Sequence, residues 1–199
     1  MATYQARQRD PLLDSNTQAV LERRGKELLG VGLLFAACWM GLILWSYVPE
    51  DPSWLSATDE PVRNFLGRFG ASIASPLIVI AGIGAWGTVA LLATWGLRFV
   101  LHKGEERAVT RAIFAPIAIA LVSVYASTHV PFDGWTHSFG LGGLFGDTVL
   151  GAVLGVVPIK ATIGLKVMAL FMAAGALVMS AFVLGFTYPE LSRIARFML

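Results

Sequence analysis

Five predominantly apolar stretches of this chain contain no Lys, Arg, Asp or Glu: Leu28–Pro49 (22 residues), Phe69–Leu97 (29), Ala112–Phe132 (21), Thr148–Ile159 (12) and Val167–Pro189 (23). A bilayer core about 30 Å thick takes about 20 helical residues to cross. Four stretches are long enough, whereas the 12-residue one reaches only about 18 Å at a rise of about 1.5 Å per residue. Charged residues are 14% of the 199 residues, against about 25% in soluble domains, and the mean hydropathy is +0.68. These counts exclude a soluble globule. The expected fold class is all-α integral membrane, with four transmembrane helices over about residues 28–48, 73–98, 112–130 and 163–187.

The basic residues between the stretches set the orientation. Arg7, Arg9, Arg23, Arg24 and Lys26 precede the first span, Arg98, Lys103, Arg107 and Arg111 separate the second and third, and Arg193 and Arg196 follow the fourth. That is 11, against 4 on the other side: Arg63, Arg68, Lys160 and Lys166. Cytoplasmic segments are the ones enriched in Lys and Arg, so both termini and the central loop are expected in the cytoplasm. A fifth crossing by the short stretch would move the basic C-terminal tail outside, against this bias.

Residues 1–27 form a polar N-terminal tail in which Ser15 and Gln18 offer a capping pair for a short helix, and no small-residue cleavage site follows Val48. In the first outer loop, Thr58 or Asp59 is placed to cap a helix with Pro61 in its first turn. Val62, Phe65, Leu66 and Phe69 then recur at helical spacing, predicting an amphipathic helix on the outer surface. Pro76 is expected near the start of the second span, where a missing amide is harmless. The second outer segment runs from Pro131 through Gly140, Gly142, Gly143 and Gly146 to Asp147 and stops at Pro158. Asp147 as a cap predicts an interfacial or re-entrant half-helix before the fourth span.

Small residues four apart (Ala37 with Gly41, Gly84 with Thr88, Ala169 with Ala173, Ala176 with Ser180, Ala181 with Gly185) support a packed bundle. Trp45, Trp54, Trp95 and Trp135 fall where an interfacial aromatic belt requires them, and Trp39 and Trp86 are expected between helices.

Chemistry is sparse. The single Cys38 lies in the first span, so no intrachain disulfide or multi-cysteine metal site can form. The spans hold no acidic group, and Lys160 and Lys166 sit where long side chains snorkel. His129, Asp133 and His137 are the one cluster with metal-ligand chemistry, but Pro131 and Gly134 interrupt it, and ordinary interfacial roles are expected. No G-x-x-x-x-G-K-[ST] occurs, and Gly82, Gly84 and Gly87 match G-x-G-x-x-G only inside a span, which makes them a packing feature. No catalytic, cofactor or metal residue is expected.

Four motifs occur in order: Arg23-Arg24-Gly25-Lys26-Glu27-Leu28, then Ser46-Tyr47-x-Pro49-x-Asp51-Pro52-Ser53-Trp54, Asn64-x-x-Gly67-Arg68-x-Gly70-Ala71, and Gly142-Gly143-x-x-Gly146. Together they resemble the N-terminal membrane domain of the FtsK/SpoIIIE DNA translocases of bacteria. The resemblance implies a four-helix anchor over 28–188 in the bacterial inner membrane at the division septum. Residues 189–199 would start a cytoplasmic linker toward a RecA-like motor beyond Leu199. ATP, Mg and DNA would be handled only by that motor, so no enzymatic activity is expected of this chain. Implied partners are the lipid bilayer, other cell-division membrane proteins and further copies of the chain, as a hexamer. The residues expected to shape outer contact surfaces or turns are Pro52, Ser53, Trp54, Asn64, Gly67, Gly70, Gly142, Gly143, Gly146 and Asp147. The alternative function is a small polytopic transporter or channel, which would need inverted repeats and a polar path.

Overall fold

The computed structural model describes residues 14–156 and 160–198; the remaining residues, which include Pro158, lie outside the described residues. All regular structure among the described residues is helical: α1 (Ser15–Trp45), α2 (Gly67–Ala81), α3 (Trp86–Val100), α4 (Ala108–Ala112), α5 (Ala115–Ser127), α6 (Gly143–Val156), α7 (Ala161–Val183) and α8 (Tyr188–Met198). Four helical stretches are long and apolar enough to cross a membrane: Asn16–Trp45, Gly67–Val100, Ala108–Ser127 and Thr162–Val183. The chain is therefore a multi-pass membrane protein, with four spans as the uncharged stretches require.

Local chemistry explains most boundaries. Helix α1 begins far ahead of the apolar run because Glu22, Arg23, Arg24, Lys26 and Glu27 pair along it, with Lys26–Glu22 at 2.7 Å and Arg24–Glu27 at 2.6 Å. Helix α1 therefore runs through the tail boundary expected at residue 27, and its N-cap is Asp14, whose O accepts from Gln18 N at 3.0 Å, one residue ahead of the expected cap at Ser15. Pro116 lacks the amide that would continue α4 into α5. At the end of α7, Gly185 takes φ 81°, Phe186 N donates to Ala181 O at 2.9 Å and Gly185 N to Phe182 O at 3.0 Å. This is a Schellman stop, so the Ala181 and Gly185 pair ends the helix, with Gly185 set close against Trp95 and Arg98 of α3.

Three further expectations are corrected. No helix forms over Thr58–Leu66, because the backbone there bonds to side chains described below; α2 instead starts at Gly67, well before residue 73. Pro76 consequently lies inside α2, where it removes a ladder hydrogen bond. The second span is also discontinuous: Gly82 (φ 56°) begins a 3-10 turn over Gly82–Ala85 that separates α2 from α3.

The bundle is held by small residues. Helix α1 packs most extensively on α3, crossing where Gly30 faces Gly96. A Cβ on Gly30 would lie 2.7 Å from Gly96 O, and one on Gly96 would lie 2.9 Å from Gly30 O. Lower in α1, Ala37 is buried. The core joins Ile43 and Leu44 to Ala74, Ile78, Ala81 and Ala85, and a second cluster packs Ala115 and Ala118 on Val183. Phe35, Leu28, Leu170, Phe171 and Leu177 point outward, forming the surface that faces lipid.

Two sets of contacts define the ends. At one, His102 Nε2 lies 3.7 Å from Glu27 and Arg98 binds Glu190 at 3.0 Å, so the start of α1, the α3–α4 loop and α8 share that end. At the other, the Tyr47 and His137 rings meet at 5.5 Å.

The α1–α3 crossing predicts a contrast between two nearby glycines. Gly30→Ala should lower the thermal stability of the detergent-solubilised protein by about 1–3 kcal/mol through overpacking. Gly32→Ala, which meets nothing within 4 Å, should leave it unchanged or slightly raised. Thermal unfolding followed by circular dichroism checks both.

Candidate functional site

The loop between α1 and α2 is shaped by two buried polar side chains. The Asp51 carboxylate, 3% exposed, accepts from Arg63 N at 2.8 Å and Asn64 N at 2.9 Å. Asn64 is buried too: its Nδ2 donates to Ile43 O at 2.9 Å and Ser46 O at 3.3 Å, and its Oδ1 accepts from Leu66 N at 3.1 Å. Ser46 Oγ accepts from Phe65 N at 3.0 Å and donates to Leu42 O at 2.7 Å. One network thus satisfies the last carbonyls of α1 and the amides ahead of α2, which a lipid-adjacent loop could not leave unpaired.

This explains the spacing of the first motifs. Gly67 takes φ 61° and donates to Asn64 O at 2.8 Å. A Cβ on Gly70 would collide with Asn64 Oδ1, so Gly70 makes room for the amide. Asn64, Gly67 and Gly70 therefore act together, Pro52 is buried beside Asp51, and Ser53 is half-buried. Trp54 is the member presented outward, at 86% exposure. It borders an open groove of about 750 Å³ walled by Phe69, Ile73 and Pro76, with Arg68 at its edge.

Gly142, Gly143, Gly146 and Asp147 form a separate cluster. A Cβ on Gly142 would strike Ser123 O and Ser127 Oγ, and one on Gly146 would lie 2.5 Å from both. Gly143 (φ 70°) fits against Ile80 and Gly82 in the middle of the second span. Asp147 does not cap α6, as expected from sequence, because the helix begins four residues earlier. It sits inside the first turns, where Oδ1 accepts from Ser127 Oγ at 2.7 Å and Oδ2 from Gly140 N at 2.6 Å. The three glycines are buried, so their role is close backbone approach.

The residues between α5 and α6 gather by ring packing. His137 stacks on Phe139 at 5.1 Å and meets Trp135 edge-on at 4.5 Å, and Trp135 Nε1 donates to Phe139 O at 2.7 Å. Burial pushes the His137 imidazole below its ordinary value, opposed by the Glu50 carboxylate. His129 instead packs on Tyr125 at 4.7 Å. No group of three His, Cys, Asp or Glu able to share a metal occurs among the described residues.

At the opposite end a second network encloses the exit of α7. Arg111 donates to Phe182 O at 3.1 Å and Phe186 O at 3.3 Å, Trp95 Nε1 to Val183 O at 2.9 Å, and Arg98 Nε to Leu184 O at 3.0 Å. Three carbonyls at the end of α7, and that of Phe186 just beyond it, are capped by side chains of α3 and α4, where cations also suit the helix dipole. Arg98 Nη2 then binds Glu190 at 3.0 Å, and Glu190 accepts from Thr187 N at 3.0 Å. The guanidinium first, then the Thr187 amide, hold the Glu190 carboxyl down at about 2.

Sequence reasoning missed this network because Arg98 and Arg111 were read only as topology charges. Trp95, expected in the aromatic belt, is 4% exposed and ties helices together; Trp39, expected between helices, is 48% exposed and touches Phe35 at 5.1 Å. The available signal was Glu190 just after a span whose neighbours end in arginine. Of the residues expected to start a linker, 189–198 lie in α8.

Two outcomes follow. Asn64→Ala should cost about 1–3 kcal/mol in thermal unfolding, because Ile43 O loses its buried donor, whereas the half-buried Ser53→Ala should change little. The Glu190 carboxyl is lowered in the fold, so its contribution is complete above its ordinary 4.5 and is lost as pH falls toward about 2. Hydrogen exchange of the α8 amides should therefore show firm protection at neutral pH and loosening only in that acid window, and Glu190→Gln should be loosened already at neutral pH.

Comparison with known proteins agrees with this geometry. The family described as the 4TM region of DNA translocase FtsK/SpoIIIE matches residues 22–193. The chain is 32% identical over 132 residues to the DNA translocase FtsK of Bradyrhizobium diazoefficiens, covering 66% of this chain and 16% of that protein. It is 31% identical over 120 residues to that of Azospirillum brasilense (59% and 19%) and 30% identical over 119 residues to that of Caulobacter vibrioides (58% and 14%). The aligned part spans less than a fifth of each of these relatives, and no solved structure matches. Four spans, the Asp51–Asn64 loop that its motifs build and a profile match over 22–193 assign the chain to the family of FtsK/SpoIIIE four-helix membrane regions.

Proposed function

We propose that this chain is the membrane anchor and septum-targeting region of a cell-division DNA translocase in the bacterial inner membrane. It couples division to chromosome segregation by contacts with other division membrane proteins and by self-association. The observation that carries the anchor reading is the shared end: Glu27 lies beside His102, and Arg98 binds Glu190. That end holds most of the Lys and Arg, which favours the cytoplasm for it. A segment continuing from α8 then leaves on the side where chromosomal DNA is found, and the arginine caps on α7 give it a fixed point of departure.

On the other side, α6 supports a re-entrant reading. It starts beside Gly82 at mid-span and is followed within a few residues by Lys160, where α7 begins. Its 14 residues reach about 21 Å, short of a crossing. The outer contact surface is centred on Trp54, with Phe65 and Phe69 exposed nearby.

Fusions test the topology and the address separately. Alkaline phosphatase joined after Ser56 or Trp135 should be active and after Leu199 inactive. A fluorescent protein after Leu199 should collect at midcell, and Trp54→Ala should retain membrane insertion while losing much of that enrichment. Uniform membrane fluorescence of the unsubstituted fusion would remove the septal reading and leave the anchor intact.

A further inference from the structure

Between α3 and α8 an open groove of about 460 Å³ lies directly beside the Arg98–Glu190 pair. Its floor is apolar, made by Leu97, Leu101 and Phe186, and its rim carries Lys103 and Arg193. Leu97 and Leu101 are each 51% exposed, so the floor continues the lipid-facing surface of the second span.

The charges around this groove are unequal. Arg98 is matched by Glu190 and further bonded to Leu184 O, with Lys103 O at 3.4 Å. Lys103 and Arg193, both exposed, have no carboxylate partner among the described residues. The groove therefore offers two cations with no carboxylate partner among the described residues, at the mouth of an apolar trough where the second span ends. An acidic peptide would match the cations but not the trough, and a free inorganic anion would leave the trough uncovered. A zwitterionic lipid would bring its own ammonium close to the two cations.

We propose that this groove is a binding site for one anionic phospholipid, with its phosphate between Lys103 and Arg193 and an acyl chain along Leu97, Leu101 and Phe186. Basic pockets where helices meet the cytoplasmic leaflet are suited to such headgroups. The bound lipid wedges α8 against α3, adding to the Arg98–Glu190 pair a second, composition-dependent hold on the helix that leaves the bundle. Binding itself does not depend on septal targeting or on a motor domain.

Native mass spectrometry of the delipidated protein in detergent, titrated with dioleoyl phosphatidylglycerol or dioleoyl phosphatidylcholine, tests the site. The wild type should bind one phosphatidylglycerol in clear preference to phosphatidylcholine. At about 1 kcal/mol per cation near the surface and about 1.4 kcal/mol per tenfold, Lys103→Ala and Arg193→Ala should each weaken phosphatidylglycerol binding about fivefold. Together they should weaken it about 25-fold, with phosphatidylcholine unaffected. Lys103→Arg should restore binding, and Lys160→Ala with Lys166→Ala at the other end should leave it unchanged. Equal affinity for the two lipids, wild-type binding by the double variant, or equal loss in the Lys160 and Lys166 pair would overturn the proposal.

Discussion

The break in the second span controls the rest of the bundle. Lipid supplies no hydrogen bonds, so the interrupted backbone at Gly82–Ala85 is tolerable only if protein groups replace the missing ladder. Two do so: Ile83 N donates to Leu141 O at 2.8 Å, and the Ser123 hydroxyl lies 2.8 Å from Ala81 O and 2.9 Å from Ile119 O. The first partner comes from the segment leading into α6 and the second from α5. Satisfying one break therefore brings three elements to a single point, and the glycines around it are the residues that allow backbones so close.

The same rule operates at both ends. After α1, the Asp51, Asn64 and Ser46 side chains replace the helical partners of a loop that folds back on the bundle. After α7, Arg98, Arg111 and Trp95 do this for the terminal carbonyls. The polar side chains of these two networks thus serve the backbone first, while Trp54 is exposed on one side and the Lys103 and Arg193 groove is open on the other. Arg98 serves both purposes, since it caps Leu184 O at the end of α7 and pairs with Glu190 in α8.

Much of the architecture was legible because it follows from one-dimensional quantities. Uncharged length identified four spans, and the short Gly143–Val156 helix announced itself as too brief to cross. The motif residues were visible as well, but their partners were not. Asp51 looks like an ordinary loop acid until its burial against the amides of Arg63 and Asn64 is known. The expected surface helix over Val62–Phe69 had the right periodicity and lost to that network, since tertiary hydrogen bonds outweigh local pattern in a short segment. Gly30 and Gly96 were passed over because no fixed spacing links them; only the α1–α3 crossing makes them neighbours.

By itself the sequence determined the solvent, the number of crossings and the side favoured by the positive charge, because each depends on hydropathy and charge summed along the chain. Tertiary structure alone decided which spans touch, where the second one breaks and what completes it. It also decided that Arg98 meets Glu190 rather than water. Those outcomes rest on hydrogen bonds between residues far apart in the chain, Ser123 with Ala81 or Trp95 with Val183, whose geometry exists only once the helices have packed.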